Sequence, residues 1–143
     1  MSESTTGTVA GGDGTAASMP TDLQRSSRDR EVVRQGLKRA LAAHLPDGSD
    51  HRVGELAGTS ATGMSSETLL FEASWSEGTE RRVEQLVARV APSETDVPVF
   101  PSYDLPGQFR TITTVGRLCD VPVPTGWWCE PDPEVIGSPF FVM

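Results

Sequence analysis

The sequence predicts one small α+β domain whose elements run helix, three strands, helix and two strands. Two segments carry apolar residues three and four positions apart, which is the spacing of a helix packed on one side. Five shorter segments are rich in apolar and aromatic residues and are separated by stretches with Gly, Ser or Pro, which favours strands. The chain has 143 residues, 36% of them hydrophobic, so it can bury one modest core.

A predicted helix follows a polar N-terminal segment. Residues 1–26 consist mainly of Ser, Thr, Gly and Ala with scattered charge. Because they offer too little apolar surface to offset the entropy of ordering, we expect a disordered tail, and a folded domain at residues 27–143. Within SRDREVVRQGLKRALAAHL, Ser27 or Asp29 can serve as the N-cap. The predicted buried stripe comprises Val32, Val33, Gly36, Leu37, Ala40 and Leu41.

Strands and a second helix are predicted after the first helix. The segments HRVGELAGTS, ETLLFEASW and RRVEQLVARVAP predict a meander of three strands. In DLPGQFRTITTVGRLC, Asp104 is the predicted N-cap and Pro106 lies in the first turn. Helical spacing relates Leu105, Phe109, Ile112 and either Val115 or Gly116. The segments PTGWWCEPD and GSPFFVM predict the last two strands.

The negative net charge of the chain argues against nucleic acid and anionic membranes as binding partners. With 12 basic and 20 acidic residues the net charge is −8, whereas a nucleic acid or an anionic membrane requires a clustered basic surface. We therefore expect no nucleic acid and no membrane, and a partner that is small or protein-like. The chain lacks the run of about 18 apolar residues that spans a bilayer. Its start, MSESTTGTVAGGDG, lacks a signal pattern, which predicts a cytoplasmic protein.

Several residues of types that often carry chemistry are interpreted as structural. Cys119 and Cys129 have no second Cys or His at ligand spacing, so free, partly buried thiols are predicted. His44 and His51 flank a Pro-Asp-Gly turn and are predicted to be polar connectors. Packing, rather than a ligand cage, is predicted for Phe71, Trp127, Trp128, Phe140 and Phe141.

Four motifs follow one another along the chain: GMSSETLLF, LVARVAP, the pair VFPSYDL and VPVP, and the final GSPFFVM. In this order they resemble the N-terminal lobe of the aminoglycoside-phosphotransferase family of kinase-like enzymes, over residues 31–143. The resemblance is closest to the general phosphotransferase branch related to the kinase-like domain found beside acyl-CoA dehydrogenases. It implies a protein-kinase-like N-terminal lobe, with a five-stranded antiparallel sheet, one αC-like helix and a preceding N-terminal helix.

The turn before the second strand is dense in Gly and hydroxyl residues. Such a turn can fold over phosphates, because Gly lets backbone N–H groups approach an anion and the hydroxyls add donors. On the turn alone, an ordinary hairpin loop is the favoured interpretation. The resemblance instead implies a nucleotide lid that includes Gly63, Ser65 and Ser66. The family usually has Gly-Gly-x-Ser-Asn here, and Thr62 and Ser66 depart from that pattern.

The third predicted strand carries Val87 and Arg89, whose side chains point to one face because side chains alternate along a strand. The resemblance implies that both border the nucleotide and that Arg89 is the cation pairing with its α- and β-phosphates, a position usually occupied by Lys. The single lysine, Lys38, lies on the preceding helix, so the role falls to Arg89 or to no residue. From the residue alone, a solvated surface Arg is an equally good interpretation.

Counted from the YDL motif, Gln108 matches the acidic residue that holds this cation in the family. It is predicted to share a stripe with Ile112 and Val115 and to face the sheet, where it could accept a hydrogen bond from Arg89, weaker than an ion pair. A Gln at this position indicates either a branch that orders its Arg by an amide contact or a degraded nucleotide site. A boundary residue without a role is the third interpretation.

The resemblance also implies what the chain lacks. Met143 matches the residue before the hinge that binds adenine, so we expect the chain to be half of an enzyme, as a gene fragment or a truncated reading frame. The family's catalytic loop is His-x-Asp followed five residues after the Asp by Asn, and the chain has no Asn. We therefore expect no catalytic residue and no metal ligand in this chain, and no turnover by it alone.

For an intact parent, the resemblance implies ATP and Mg²⁺ as cofactors and transfer of the γ-phosphate to the hydroxyl of a small molecule. Two alternatives remain open. One is a non-catalytic, kinase-derived binding module. The other is a pseudokinase lobe, suggested by Arg89 and Gln108.

Overall fold

A computed structural model describes residues 28–58, 66–92 and 102–143. Its elements are α1 (Arg30–His44), β1 (Ser49–Val53), β2 (Ala57–Gly58), β3 (Glu67–Glu77), β4 (Glu80–Val90), α2 (Leu105–Leu118), β5 (Trp128–Glu130) and β6 (Phe140–Val142). The predicted α+β class, with an antiparallel sheet and two helices, is confirmed. The tail predicted at 1–26 lies outside the described residues. Within the three described ranges, no helix is long and apolar enough to cross a bilayer.

The strands form one antiparallel sheet in the order β1-β3-β4-β6-β5. β2 also pairs with β3, so β1 and β2 follow each other along the same edge of that strand. The first predicted strand is therefore interrupted. The amide of Gly54 bridges the interruption by donating to the carbonyl oxygen of Glu72 at 2.8 Å. The sheet consequently has the width of five strands.

α1 covers one face of the sheet, as its apolar stripe predicts. Asp29 is the N-cap, and its carboxylate accepts hydrogen bonds from the amides of Glu31 and Val32, groups that would otherwise lack partners at a helix start. The buried residues of the helix are Val33, Gly36, Leu37, Ala40 and Leu41. Val32 is 58% exposed, so its assignment to the stripe was wrong. It lies about 100° around the helix from Val33.

Alternation along β3 and β4 divides the sheet into two faces with different partners. Residues that point toward α1 form what we call the α1 face, and they join the helix in one buried cluster. These strand residues are Leu69, Phe71, Ala73, Trp75, Leu86, Ala88 and Val90. The opposite surface is the α2 face, against which α2 packs through a smaller buried cluster of Ala91, Leu105 and Phe141.

The connection between β5 and β6 closes the α1 face by crossing the helix at Gly36. A Cβ built at Gly36 would lie 2.5 Å from Cγ2 of Ile136 and would overlap the carbonyl oxygen of Val135. Glycine is required here because the two backbones approach so closely. Ile136 is 3% exposed and belongs to the same core cluster.

α2 begins at a side-chain cap and packs through its first turns. The carboxylate of Asp104 accepts a hydrogen bond from the amide of Gly107 at 2.8 Å, which confirms the predicted cap. Leu105 is fully buried, and Phe109 packs on Phe141 with ring centroids 5.8 Å apart. The helix therefore lies over the β5–β6 side of the sheet.

The predicted packing of the aromatic residues is confirmed. Phe71, Trp128, Phe140 and Phe141 are buried, and Trp127 packs against the core cluster with partial exposure. Both histidines contact neighbouring parts of the domain. His44 stacks on Trp128 with a centroid distance of 5.1 Å, and Nε2 of His51 lies 3.0 Å from the carbonyl oxygen of Leu45.

Candidate functional site

The candidate site lies on the α2 face, at the end of β4 where Arg89 stands. Arg89 is the Cα partner of Thr68 on β3 and of Phe141 on β6. Directly paired residues point to the same face of a sheet, and Phe141 belongs to the α2 cluster. The guanidinium therefore stands on the side of the sheet that α1 does not cover. The predicted side-chain direction of Val87 and Arg89 agrees with this register.

An apolar row crosses the sheet beside Arg89. Val87 is the Cα partner of Leu70 and exchanges two hydrogen bonds with Met143, at 2.7 and 2.9 Å. Leu70 is 40% exposed, and Val87 and Met143 are half-buried. The row of Leu70, Val87 and Met143 lies two residues from Arg89 along β4, or about 7 Å. A flat apolar group and an attached anion could therefore contact the two features together.

Arg89 is held by a hydroxyl group. Its Nη2 donates to Oγ of Ser66 at 2.6 Å. Its Nε is buried and has no hydrogen-bond partner among the described residues, and no carboxylate in those ranges forms an ion pair with it. An uncompensated guanidinium with unused donor capacity is suited to bind an anion that brings its own acceptor oxygens.

The residue next to Ser66 is anchored to the α1 side of the domain. Glu67 accepts a hydrogen bond from Nη1 of Arg28 at 2.7 Å, with the two side chains only 21% and 11% exposed. Nη2 of the same Arg28 donates to the carbonyl oxygen of Ala91 at 2.8 Å and to Oγ of Ser138 at 2.7 Å. Arg28 thereby joins the start of β3, the end of β4 and Ser138, which lies two residues before β6.

Gln108 does not occupy the position predicted for it. It is exposed on α2, and no hydrogen bond between Gln108 and Arg89 occurs among the described residues. The helix turns Leu105 and Phe109 toward the sheet, and Gln108 precedes Phe109 by one position, about 100° around the helix. The prediction that Gln108 faces the sheet is therefore wrong. The predicted role of Gln108 in nucleotide binding stays a prediction.

Of the three residues predicted for the nucleotide lid, the structure describes only Ser66. Gly63 and Ser65 lie outside the described residues. Lys38 is exposed on α1, which lies against the opposite face of the sheet. The position of Lys38 is therefore consistent with the expectation that the phosphate role falls to Arg89 or to no residue.

The two cysteines and the possible metal ligands do not form a reactive site among the described residues. Cys119 is exposed, contrary to the prediction of a partly buried thiol, and Cys129 is half-buried. Burial, and next the charge of Glu130, raises the pKa of the Cys129 thiol, so it stays protonated and weakly nucleophilic at neutral pH. In the part of the chain that the structure describes, no three His, Cys, Asp or Glu side chains are arranged to hold a metal ion.

Sequence reasoning missed several residues that form this surface. Alternation along β3 places Thr68 and Leu70 on the face of Val87 and Arg89 once the register is known, so a hairpin register would have found them. The anchor between Arg28 and Glu67 joins residues 39 positions apart, and no local pattern signals such a contact.

No protein-family model matches the chain.

Proposed function

We propose that the α2 face binds the base and phosphates of ATP, and that this domain is the protein-kinase-like N-terminal lobe of an aminoglycoside-phosphotransferase-like enzyme. The observation that carries the proposal is the position of Arg89, on the face of the sheet that α1 does not cover and beside the apolar row. Leu70, Val87 and Met143 contact the base, and the guanidinium binds the α- and β-phosphates. This pairing of a flat apolar surface with an adjacent cation fits a nucleotide better than it fits a simple anion.

The order of the elements supports the same proposal. The cation lies on the strand that precedes α2, and α2 packs over the last strand on the same face as the cation. This agrees with the kinase arrangement, in which a cation on one strand is followed by a helix that packs beside it. The lid of Gly63, Ser65 and Ser66 is proposed from the sequence motif, with Ser66 also in contact with Arg89.

The proposed chemistry is shared between this chain and other parts of an intact enzyme. This chain binds and orients ATP, which would be supplied as its Mg²⁺ complex. Mg²⁺ would neutralise charge on the β- and γ-phosphates. An intact parent would transfer the γ-phosphate to the hydroxyl of a small molecule. The 143 residues contain no Asn for the family's catalytic loop, so this chain alone is proposed to bind without turnover.

A titration tests the proposal directly. The ¹⁵N-labelled chain is titrated with ATP and Mg²⁺ while amide chemical shifts are recorded. We expect saturable shifts that centre on Val87, Arg89 and Met143. Arg89→Ala should weaken binding about tenfold or more, because it removes hydrogen bonds to a charged group. Arg81→Ala is the matched control, since Arg81 lies on the same strand and the same face, near its other end.

Two results would contradict the proposal. Shifts that fail to saturate would exclude a nucleotide site of useful affinity. An equal loss in Arg81→Ala and Arg89→Ala would show that ATP is attracted only by the cations of the sheet in general.

A pseudokinase lobe is the second candidate, and the exposure of Gln108 favours it. Without a helix carboxylate to pair with the cation, a site could bind ATP and yet lack the geometry for transfer. The intact parent distinguishes the two candidates. Consumption of ATP that depends on an added hydroxyl substrate supports a kinase, whereas saturable binding without turnover supports the pseudokinase.

A further inference from the structure

Among the described residues, the hydrogen-bond partner of the Arg89 side chain is Ser66, the residue just before β3, rather than a residue of α2. The hydrogen bond from Nη2 of Arg89 to Oγ of Ser66 is 2.6 Å long. Ser66, Thr68 and Leu70 are spaced by two residues, so their side chains share the α2 face. Ser66 therefore reaches the guanidinium from the same edge of the site at which β3 begins.

α2 is oriented so that it contributes no such partner from its first turns. Leu105 is fully buried and Phe109 packs on Phe141, and this packing turns Gln108 outward to solvent. A rotation that brought Gln108 inward would remove Leu105 and Phe109 from the cluster. The apolar packing of α2 and a contact from Gln108 to the sheet thus require different orientations of the helix, and the structure has the orientation that favours packing.

The backbone at Ser66 is fixed by its neighbour. Glu67 is tied to Arg28, and Arg28 also binds the carbonyl oxygen of Ala91 and the hydroxyl of Ser138. Glu67 is in addition the Cα partner of Val90. Because these contacts tie Glu67 to three other segments, the strand start that carries Ser66 is anchored beside Arg89.

We infer that Ser66 is a positioning residue, which orients Arg89 toward the phosphates in place of the carboxylate that a helix supplies in the resembled family. The inference rests on the proposed function. A neutral hydroxyl orients the guanidinium without cancelling its charge, so the whole positive charge is left for the phosphates. The orientation of the cation then depends on the start of β3, and a movement of α2 leaves it unchanged.

Two substitutions of nearly equal shape isolate the hydroxyl. Ser66→Thr keeps it and Ser66→Val lacks it, while both add a similar bulk to the side chain. We expect Ser66→Val to weaken binding of ATP with Mg²⁺ about tenfold, and Ser66→Thr to stay within about threefold of the unaltered chain. Gln108→Ala should leave the affinity unchanged. Thermal unfolding midpoints identify any variant that fails to fold.

A second measurement follows the guanidinium itself without nucleotide. The heteronuclear ¹⁵N relaxation of the Nε–H group of Arg89 reports how well its side chain is ordered. We expect order in the unaltered chain, in Ser66→Thr and in Gln108→Ala, and increased mobility in Ser66→Val. A purely structural role of residue 66 would change the unfolding midpoint and would not separate Thr from Val in this signal.

The outcomes separate the inference from the proposed function. If Arg89→Ala loses ATP binding while Ser66→Val retains it, the inference is overturned and the nucleotide site stands. An equal loss in Gln108→Ala and Ser66→Val also overturns it, because α2 would then share the role. If the unaltered chain does not bind ATP, the proposed function fails and the inference fails with it.

Discussion

The two faces of the sheet are packed in different ways. The α1 face is closed by a helix of 15 residues and by the β5–β6 connection, and its strand residues are almost fully buried. Among the described residues, the buried cluster on the α2 face has three members, Ala91, Leu105 and Phe141, and Leu70 and Val83 are 40% and 54% exposed. Both faces belong to the same strands, so the alternate residues of one strand experience opposite environments.

This difference indicates that stability and binding are assigned to separate faces. Burial of apolar surface on the α1 face supplies most of the hydrophobic free energy. The α2 face keeps a guanidinium and an apolar row accessible at one end of β4. A substitution should therefore affect folding or binding according to the face on which its side chain stands.

Leu69 and Leu70 provide the largest test of this division. They are neighbours on β3, with Leu69 3% exposed on the α1 face and Leu70 40% exposed on the α2 face. Leu69→Ala should lower the free energy of unfolding by about 2–5 kcal/mol, because it leaves a cavity in the core. Leu70→Ala should cost less than about 1 kcal/mol.

Chemical denaturation of both variants measures the difference. In the titration with ATP, Leu70→Ala should weaken binding more than Leu69→Ala, because Leu70 belongs to the proposed base-binding row. This order is the reverse of the order of the stability losses. Equal losses of stability in the two variants would show that the α2 face is covered in solution as closely as the α1 face.

The helix glycines give a smaller effect of the same kind. In Gly36→Ala the new methyl group would overlap the carbonyl oxygen of Val135, which no rotamer change can relieve. We expect a loss of about 1–3 kcal/mol in the free energy of unfolding despite the better helix propensity of Ala. At the exposed position of Gly116 on α2, the new methyl group meets only a methyl group of Val123, at 3.0 Å. Since Ala also favours a helix by about 1 kcal/mol over Gly, Gly116→Ala should be neutral or slightly stabilising.

Thermal unfolding of the two glycine variants checks this expectation. A neutral Gly36→Ala would mean that the connection between β5 and β6 moves away from α1 at little cost. The α1 face would then be less firmly closed than its buried residues indicate.

The elements were predictable from the sequence because local rules determine them. Asp104 was recognisable as a cap from its residue type and from the apolar spacing that follows it, and Asp29 was one of two candidates, with Ser27, for the cap of α1. Strand alternation likewise placed Val87 and Arg89 on one face. These signals lie within a few residues of one another, and the packing of the domain does not override them.

The candidate site was less predictable because it depends on helix orientation and on distant contacts. Gln108 was assigned to the sheet from its spacing to Ile112 and Val115, but the stripe of α2 is centred on Leu105 and Phe109. An error of one position rotates a helical side chain by about 100°. The contact from Arg89 to Ser66 spans 23 positions, and only the register of β3 and β4 reveals it.

The smallest expected effect is the pH dependence of the stability that Glu31 contributes to α1. Glu31, in the first turn of α1, accepts two hydrogen bonds from Arg34 and one from Gln35. The hydrogen bonds from Arg34, and next that from Gln35, lower the pKa of this carboxyl from 4.5 to about 2. Because the folded state holds the proton less tightly than the unfolded state, the contribution to stability is present above pH 4.5 and is lost as the pH falls toward about 2.

Glu31→Gln should therefore lower the thermal unfolding midpoint at neutral pH, and the difference from the unaltered chain should shrink between pH 4.5 and about 2. Glu80→Gln is the control, because Glu80 forms no ion pair among the described residues. A difference that stays constant over this pH range would attribute the effect of Glu31→Gln to helix propensity or packing. The solvent-exposed position of Glu31 limits the effect, since solvent and salt screen the pair. High salt should therefore reduce it further, whereas the losses in Leu69→Ala and Gly36→Ala should persist, because packing on the α1 face is not screened by ions.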